Sequence, residues 1–300
     1  MPPLQVVYMK KRIIFIAVAV VVLAAALAGV LLTPQPQAYT GFAMGSVLTQ
    51  TYWGKTPAIH VSAAIGELEK NLLRIDERAP LLALEVMEAS GGAYNPYLGA
   101  LTRLWNINDE PYVPTPLEVA QALEEREVDL GAYGKGAACD EILNIVTRFG
   151  FGFATRAAVI NMGGNILTYG QKPWNQPFKI ALRDPLGGPN DTVGVFTLRG
   201  THFISTSGSY EKYFEQDGKR YHHIFDPETG YPACRDPGLV SVTVINDNGA
   251  LGDMISTACF VLGYEASLEL LVQYNCDALF FYEDGDVRPV GRVMEYYEAR

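Results

Sequence analysis

Two adjacent histidines, His222 and His223, stand in a stretch of hydroxyls and turn residues from Ile204 to Pro232: I-S-T-S-G-S-Y-E-K-Y-F-E-Q-D-G-K-R-Y-H-H-I-F-D-P-E-T-G-Y-P. Imidazole beside hydroxyl is the composition of a proton-transfer site, since histidine titrates near neutrality. The stretch opens on Ser205-Thr206-Ser207-Gly208, which reads as a polar turn, and closes on a rigid turn, Asp226-Pro227-Glu228-Thr229-Gly230. Asp217-Gly218 reads as the tip of a hairpin that brings the two ends together. The same residues also describe a surface hairpin with two solvated histidines.

A second pattern is Asp253 and Thr257, four residues apart in Gly252-Asp253-Met254-Ile255-Ser256-Thr257-Ala258. On a helix that spacing puts both oxygens on one face. Such ligands suit a hard cation, magnesium or calcium. The plainer reading is an acid favoured by the dipole of a first helical turn and a threonine bonded back to its own helix. A third pattern runs from Val128 to Gly136, V-D-L-G-A-Y-G-K-G. It reads as a short strand, a glycine turn and a helix from about Ala137 to Phe149. Free amides at such a turn suit anions, and Lys135 adds a positive charge. It is neither a Walker A loop nor G-x-G-x-x-G, and a close strand-to-helix turn accounts for it equally.

These patterns need a scaffold. The chain has 300 residues, 49% hydrophobic and 19% charged, which is ordinary globular composition. A net charge of −10 excludes a nucleic-acid backbone as partner and means that an anionic substrate needs a local cation. Lys10-Lys11-Arg12 precede an uncharged apolar run, Ile13 to Leu32, long enough for one transmembrane helix. The basic flank, residues 1–12, would stay in the cytoplasm and place the rest outside. A cleaved signal is the alternative, although Pro34-Gln35-Pro36-Gln37-Ala38 makes a poor cleavage site. Leu27-Ala28-Gly29-Val30 lacks the thiol a lipoprotein needs. Residues 33–41 form a Pro/Gln linker and 42–300 a folded domain.

Within that domain, Val47 to Trp53 alternates like a strand and Ile59 to Asp76 like an amphipathic helix. Leu81–Ser90, Pro116–Glu127, Gly252–Leu262 and Tyr264–Asn275 read as further helices. Ala157–Asn161, Ile166–Tyr169, Phe178–Leu182, Val193–Leu198 and Leu239–Ile245 read as strands, and Ala278–Val290 as a hairpin turning at Asp284-Gly285. The fold class is α+β: one domain of mostly antiparallel sheet with packed helices. Cys139, Cys234, Cys259 and Cys276 form no C-x-x-C pair, and Cys259 and Cys276 read as buried apolar residues.

Taken together, the segments resemble the FAD:protein FMN transferase (ApbE) family. Met44-Gly45-Ser46 is similar to its opening M-G-T, and Gly92 to Leu101 to G-A-F-D-P-T-V-G-P-L. Asp129 to Asp140 resembles D-L-G-x-x-A-K-G-x-x-x-D, and Asn161 to Gly164 the N-x-G-G turn. Thr206 to Tyr210 resembles T-S-G-x-Y, and His223 to Gly230 resembles H-I-x-D-P-x-T-G; these two blocks are specific. Asp253 to Thr257 resembles the metal pair D-x-x-x-T. Asn95, Tyr97, Ala100 and Gly134 depart from the pattern. So do shortened regions after the first helix and between Glu127 and Val128, which bear on flavin affinity more than on chemistry.

The resemblance implies Mg2+-dependent transfer of FMN from FAD to a Ser or Thr hydroxyl of an acceptor protein, releasing AMP. It implies His223 as general base and Mg2+ held by Asp253, Thr257 and a carbonyl near Gly134. It places Met44, Lys135, Asp140, Gly163, Gly164, Thr206, Ser207 and Gly208 at the nucleotide, with Lys135 either acting there or capping the turn. His222 should point to the opposite face as a structural or exposed residue. The acceptor pattern, D-G-x-[ST]-[GS]-A-[ST], follows neither Asp217-Gly218 nor Asp284-Gly285, so a separate acceptor is implied.

Overall fold

The computed structural model describes residues 15, 18–23, 35–72, 79–149, 155–188 and 190–299. It divides into two units, Met1–Pro36 and Gln37–Arg300. In the first unit Phe15 and residues 18–23 are helical. Most of the expected membrane segment, 13–32, lies outside the described residues, as does the basic flank. Among the described residues no helix is long and apolar enough to cross a membrane.

The second unit runs β1 (Pro36–Ala43), β2 (Ser46–Gly54), α1 (Ala58–Leu72), α2 (Leu81–Ala89), α3 (Gly99–Trp105), α4 (Pro116–Glu124), α5 (Gly131–Phe149), β3 (Thr155–Met162) and β4 (Asn165–Gly170). It continues β5 (Phe178–Arg183), β6 (Thr192–Leu198), β7 (His202–Gly208), β8 (Tyr213–Gln216), β9 (Lys219–His222) and β10 (Leu239–Asn246). The last elements are α6 (Gly249–Leu262), α7 (Tyr264–Gln273), β11 (Asp277–Tyr282), β12 (Val287–Val290) and β13 (Tyr297–Ala299). An eight-stranded sheet has the order β1-β2-β3-β4-β7-β10-β11-β12; β13-β6-β5 form a smaller sheet and β8-β9 a hairpin.

Residue pattern sets the layers. In β2, Leu48, Gln50 and Tyr52 are buried while their neighbours face outward, the period of a strand with one covered face. In β10, Val242 and Val244 pack toward α6, whereas Ile245 packs with Phe178 and Phe196 of the smaller sheet. The large sheet is thus covered on both sides, which explains the near-continuous apolar run of β10. Helix α6 is buried along almost its whole length, with Met254, Ile255, Ala258 and Cys259 inaccessible to solvent. A helix apolar on most faces belongs in the middle of a core.

Helices α5 and α6 cross at Gly136 and Gly249. A Cβ on Gly136 would land on the carbonyl oxygen of Gly249, and one on Gly249 on the carbonyl oxygen of Gly136. The carboxylate of Asp140 adds a second tie. Its two oxygens accept from the amides of Gly249 and Ala250 at 2.7 and 2.8 Å. These are orphan donors of the first turn of α6. Asn248 caps the same helix by accepting from the Leu251 amide at 2.8 Å.

Four readings change. Ser205-Thr206-Ser207-Gly208 is the end of β7, in the middle of the large sheet, and not a turn; hydroxyl residues have strand partners on β10 that no local pattern reveals. Val128–Leu130 is not a strand, and α5 starts at Gly131, so Lys135 and Gly136 lie within a helix kinked at Ala132. Gly99–Trp105, where the sequence reading places no helix, is helical. Pro36–Ala43, mostly assigned to the linker, is an exposed edge strand. The turns at Asp217-Gly218 and Asp284-Gly285 stand as read, with Asp217 and Gly218 both at positive φ, 52° and 74°.

Candidate active site

Asp253 lies on the second turn of α6 and is 3% exposed. Its Oδ2 accepts from the Gly136 amide at 3.0 Å and its Oδ1 from Asn165 Nδ2 at 3.1 Å. The Lys135 ammonium stands 3.8 Å from Oδ1 and also donates to the Gly131 carbonyl at 3.2 Å. Three segments far apart in the chain therefore converge on one buried carboxylate. Thr257 follows one helical turn later, as its spacing predicts. Its hydroxyl bonds back to the Asp253 carbonyl at 3.1 Å and contacts Ser207 Oγ at 3.1 Å. The plainer reading of Thr257, a hydroxyl bonded back to its own helix, is the one seen.

The glycine turns sit beside Lys135. A Cβ on Gly163, whose φ is +52°, would overlap Ser46 Oγ and come within 3.5 Å of Lys135 Cδ. The Met44-Gly45-Ser46 turn and the Gly163-Gly164 turn are thereby pressed together against the lysine stem. Met44 is anchored through its amide to Glu69 Oε1 at 3.1 Å, and Gly164 donates to Asn161 Oδ1 at 3.1 Å. Asn95 closes a local turn by accepting from the Tyr97 amide at 2.9 Å, a task an amide performs as well as an acid.

The hydroxyl run splits because it is a strand. Ser207 faces α6 and meets Ser256 Oγ at 2.8 Å. Thr206 pairs with Thr243 Oγ1 of β10 at 2.9 Å, on the other face of the sheet. Thr206 therefore stands on the face of the sheet away from Asp253 and α6, while Ser207 stands on theirs. Gly208 ends β7 under the ring of Tyr210. The Asp140 carboxylate is held at the N-terminus of α6, where both its oxygens accept from backbone amides.

His223 follows β9. Its Nδ1 lies 3.2 Å from the Lys212 carbonyl. A carbonyl only accepts, so Nδ1 carries the proton and Nε2 keeps its lone pair. Burial first, and then the charges of Lys212, His222 and Lys135, together lower the imidazole pKa to about 3. The Asp226 turn fixes the chain beyond it. Burial works against the Asp226 carboxylate, but the Arg235 guanidinium outweighs it with two bonds of 2.6 Å and holds the pKa below the usual range. Trp105, which donates to the Gly230 carbonyl at 2.9 Å and stacks on Phe225, braces the turn from α3.

His222 is structural, as alternation along the segment predicts. Its Nε2 donates to the Ala233 carbonyl at 3.2 Å, its Nδ1 accepts from Ile224, and its ring stands edge-on to Phe260. Burial lowers its pKa to about 4. The folded state then binds fewer protons than the unfolded chain below pH 6.5. The stability tied to neutral His222 is complete above that value and is lost as pH falls through about 4. Exchanging His222 for Gln is expected to remove on the order of 2 kcal/mol from the loss of stability between pH 7 and pH 4.5. Urea unfolding of both proteins at the two pH values measures this, and equal acid sensitivity would refute it.

Three residues were not singled out in the sequence. Asn165 follows the two glycines, and only the folded structure shows it facing Asp253. Tyr94 is 2% exposed and feels the charge of Asp253. Glu211 has its carboxyl pKa raised by burial, opposed by Lys135. A buried polar residue inside a glycine motif is the one signal that could have marked Asn165.

Among the described residues no group of three or more carboxylate, imidazole and thiol side chains gathers around a metal position. The oxygens at Asp253 form a different kind of set: one carboxylate and, one helical turn on, the Thr257 hydroxyl. The Asn165 Oδ1 atom is buried beside them with no partner. An all-oxygen set with one charge fits a hard cation such as Mg2+.

The sequence profile of the ApbE family matches residues 78–280. The chain belongs to the ApbE family. A relative from Treponema pallidum named FAD:protein FMN transferase is 35% identical over 268 aligned positions, covering 76% of this chain and 70% of its own. One of the same name from Klebsiella pneumoniae is 34% identical and covers 65% of each chain. The solved ApbE protein of Thermotoga maritima superposes with a TM-score of 0.74 at 25% identity, over 87% of this chain and 99% of its own. The apo flavinyl transferase ApbE of Pseudomonas stutzeri gives 0.71 at 25% identity, over 89% and 98%. The ApbE fold, α+β with a mostly antiparallel sheet, is the fold found here.

Proposed function

We propose that this protein transfers FMN from FAD to a Ser or Thr hydroxyl of a separate acceptor protein and releases AMP. The observation that carries the reading is a tautomer-fixed imidazole, His223, in the electrostatic field of the lysine that stands at the buried Asp253. In the reaction the acceptor oxygen attacks the phosphorus on the FMN side of the pyrophosphate. The bond to the AMP phosphate breaks, and the hydroxyl proton passes to His223 Nε2. Phosphoryl transfer of this kind depends on positioning and charge neutralisation. Mg2+ held by Asp253, Thr257 and the Gly134 carbonyl supplies much of that neutralisation when bound.

Lys135 provides a second cation where an acidic protein must receive an anionic dinucleotide. The depressed pKa of His223 belongs to the free enzyme; an incoming pyrophosphate adds negative charge nearby and raises it. The turns at Met44 and at Gly163-Gly164 wall the same cleft, and Ser207 lines it from the sheet. The acceptor carries a D-G-x-[ST]-[GS]-A-[ST]-like segment. In this reading the apolar N-terminal run anchors the protein in the bacterial cell membrane with the catalytic domain outside, and nucleic acid has no role.

The full-length chain is to be incubated with FAD, Mg2+ and an acceptor bearing the motif, then denatured and examined for in-gel flavin fluorescence. A fluorescent acceptor band that needs Mg2+ is expected. AMP release without a band would replace transfer by FAD hydrolysis. Bound FAD with neither product would make the protein a flavin carrier.

A further inference from the structure

Four buried side-chain polar atoms among the described residues have no hydrogen-bond partner; two of them are Asn165 Oδ1, on the amide that donates to Asp253, and the Tyr94 hydroxyl, whose ring belongs to the cluster holding Met254 and Ala258 on the same helix. Both residues are 2% exposed. Buried polar atoms are almost always paired, so an unpaired one in a functional cleft calls for a missing partner. The orientation of Asn165 follows from chemistry. A carboxylate only accepts, so the amide nitrogen must face Asp253 Oδ1, which leaves the amide oxygen turned away as a bare acceptor. Tyr94 is held at its backbone by Ser90 Oγ, 3.1 Å from its amide. Its ring lies in the apolar cluster that includes Met254 and Ala258 of α6. Asp253 is the charge that acts most strongly on its hydroxyl, ahead of Asp129.

We propose that Asn165 and Tyr94 are positioning residues of the cation site, each accepting a hydrogen bond from water on a divalent cation held by Asp253; this rests on the cation reading given above. Magnesium-like ions shed water reluctantly, so a site with few protein ligands keeps several bound waters. Those waters are strong donors and need acceptors inside the protein. Asn165 does double service. Its nitrogen orients the Asp253 carboxylate and its oxygen receives cation-bound water. Tyr94 approaches from the α2 side and closes the shell. Outer partners of this kind govern affinity without touching the ion.

The test is titration of the full-length chain with Mn2+, followed by electron paramagnetic resonance, alongside thermal melts without metal. Asn165→Leu is expected to weaken Mn2+ by about 10- to 100-fold, the range for outer-shell partners. Tyr94→Phe is expected to weaken it by at least about threefold. The melting temperature of metal-free Tyr94→Phe should be unchanged or higher, because the hydroxyl removed has no partner. A purely structural hydroxyl would leave Mn2+ affinity untouched. Wild-type affinity in Tyr94→Phe and Asn165→Leu, with binding lost in Asp253→Asn, would overturn the proposal and leave the cation reading standing. Undiminished binding in Asp253→Asn, or none in the wild type, would overturn both. If Asn165→Leu does not fold, Tyr94→Phe carries the test alone.

Discussion

Replacing His223 with alanine is expected to lower FMN transfer by about a thousandfold while FAD still binds. A positioned general base contributes roughly 10²–10⁴ in rate. The geometry separates the base from the rest of the site. His223 is held by its amide and its Nδ1 at one carbonyl, that of Lys212. Neither contact belongs to α5, α6 or the glycine turns, so the loss should fall on the transfer step. Nor does the fold depend on this side chain, since Asp226, Arg235 and Trp105 brace the segment that follows it. In-gel fluorescence with acceptor, together with quenching of free FAD on binding, reads the two effects apart. An unchanged transfer rate would remove His223 from the mechanism.

Replacing Asp253 with asparagine should cost a comparable factor for a different reason. The change keeps shape and removes one charge. Two neutral donors, the Gly136 amide and Asn165 Nδ2, and the cation Lys135 surround that carboxylate. Without its charge, Lys135 loses its buried counter-charge and a divalent ion loses its one charged ligand. Metal ions contribute several kcal/mol to such reactions, so a loss of about a thousandfold is expected, with the residual rate indifferent to Mg2+. Transfer measured across a Mg2+ titration decides it. Full activity with the ordinary Mg2+ response would eliminate Asp253 as a ligand.

The placement of the residues that carry these predictions was legible in the sequence because its signals are local, whereas their roles rest on the family resemblance. Asp253 and Thr257 are one helical turn apart, and His222 and His223 alternate on an extended segment, so each pair's geometry follows from backbone period alone. The hairpin at Asp217-Gly218 is local in the same sense. What was not legible depends on strands meeting across the chain. Ser205 to Gly208 has the composition of a turn and becomes a central strand because β4 and β10 flank it. That placement sends Thr206 and Ser207 to opposite faces and halves the expected hydroxyl cluster. Asp140 belongs to a recognisable motif, yet its partners are amides of α6. Only the crossing of the two helices reveals that this acid is a strut.

That crossing also constrains how the protein can vary. Gly136 and Gly249 meet backbone to backbone. In most packed interfaces a larger residue on one side can be accommodated by a smaller one on the other. Here the accommodation has nowhere to go, because no residue is smaller than glycine. Two positions far apart in the chain therefore act as a single inheritance, which second-site suppressors cannot relax by substitution at either. Adaptation of this enzyme to new flavins or new acceptors has to be written on the rims of the cleft, in the loops and the hairpin, while the joint beneath it stays as it is.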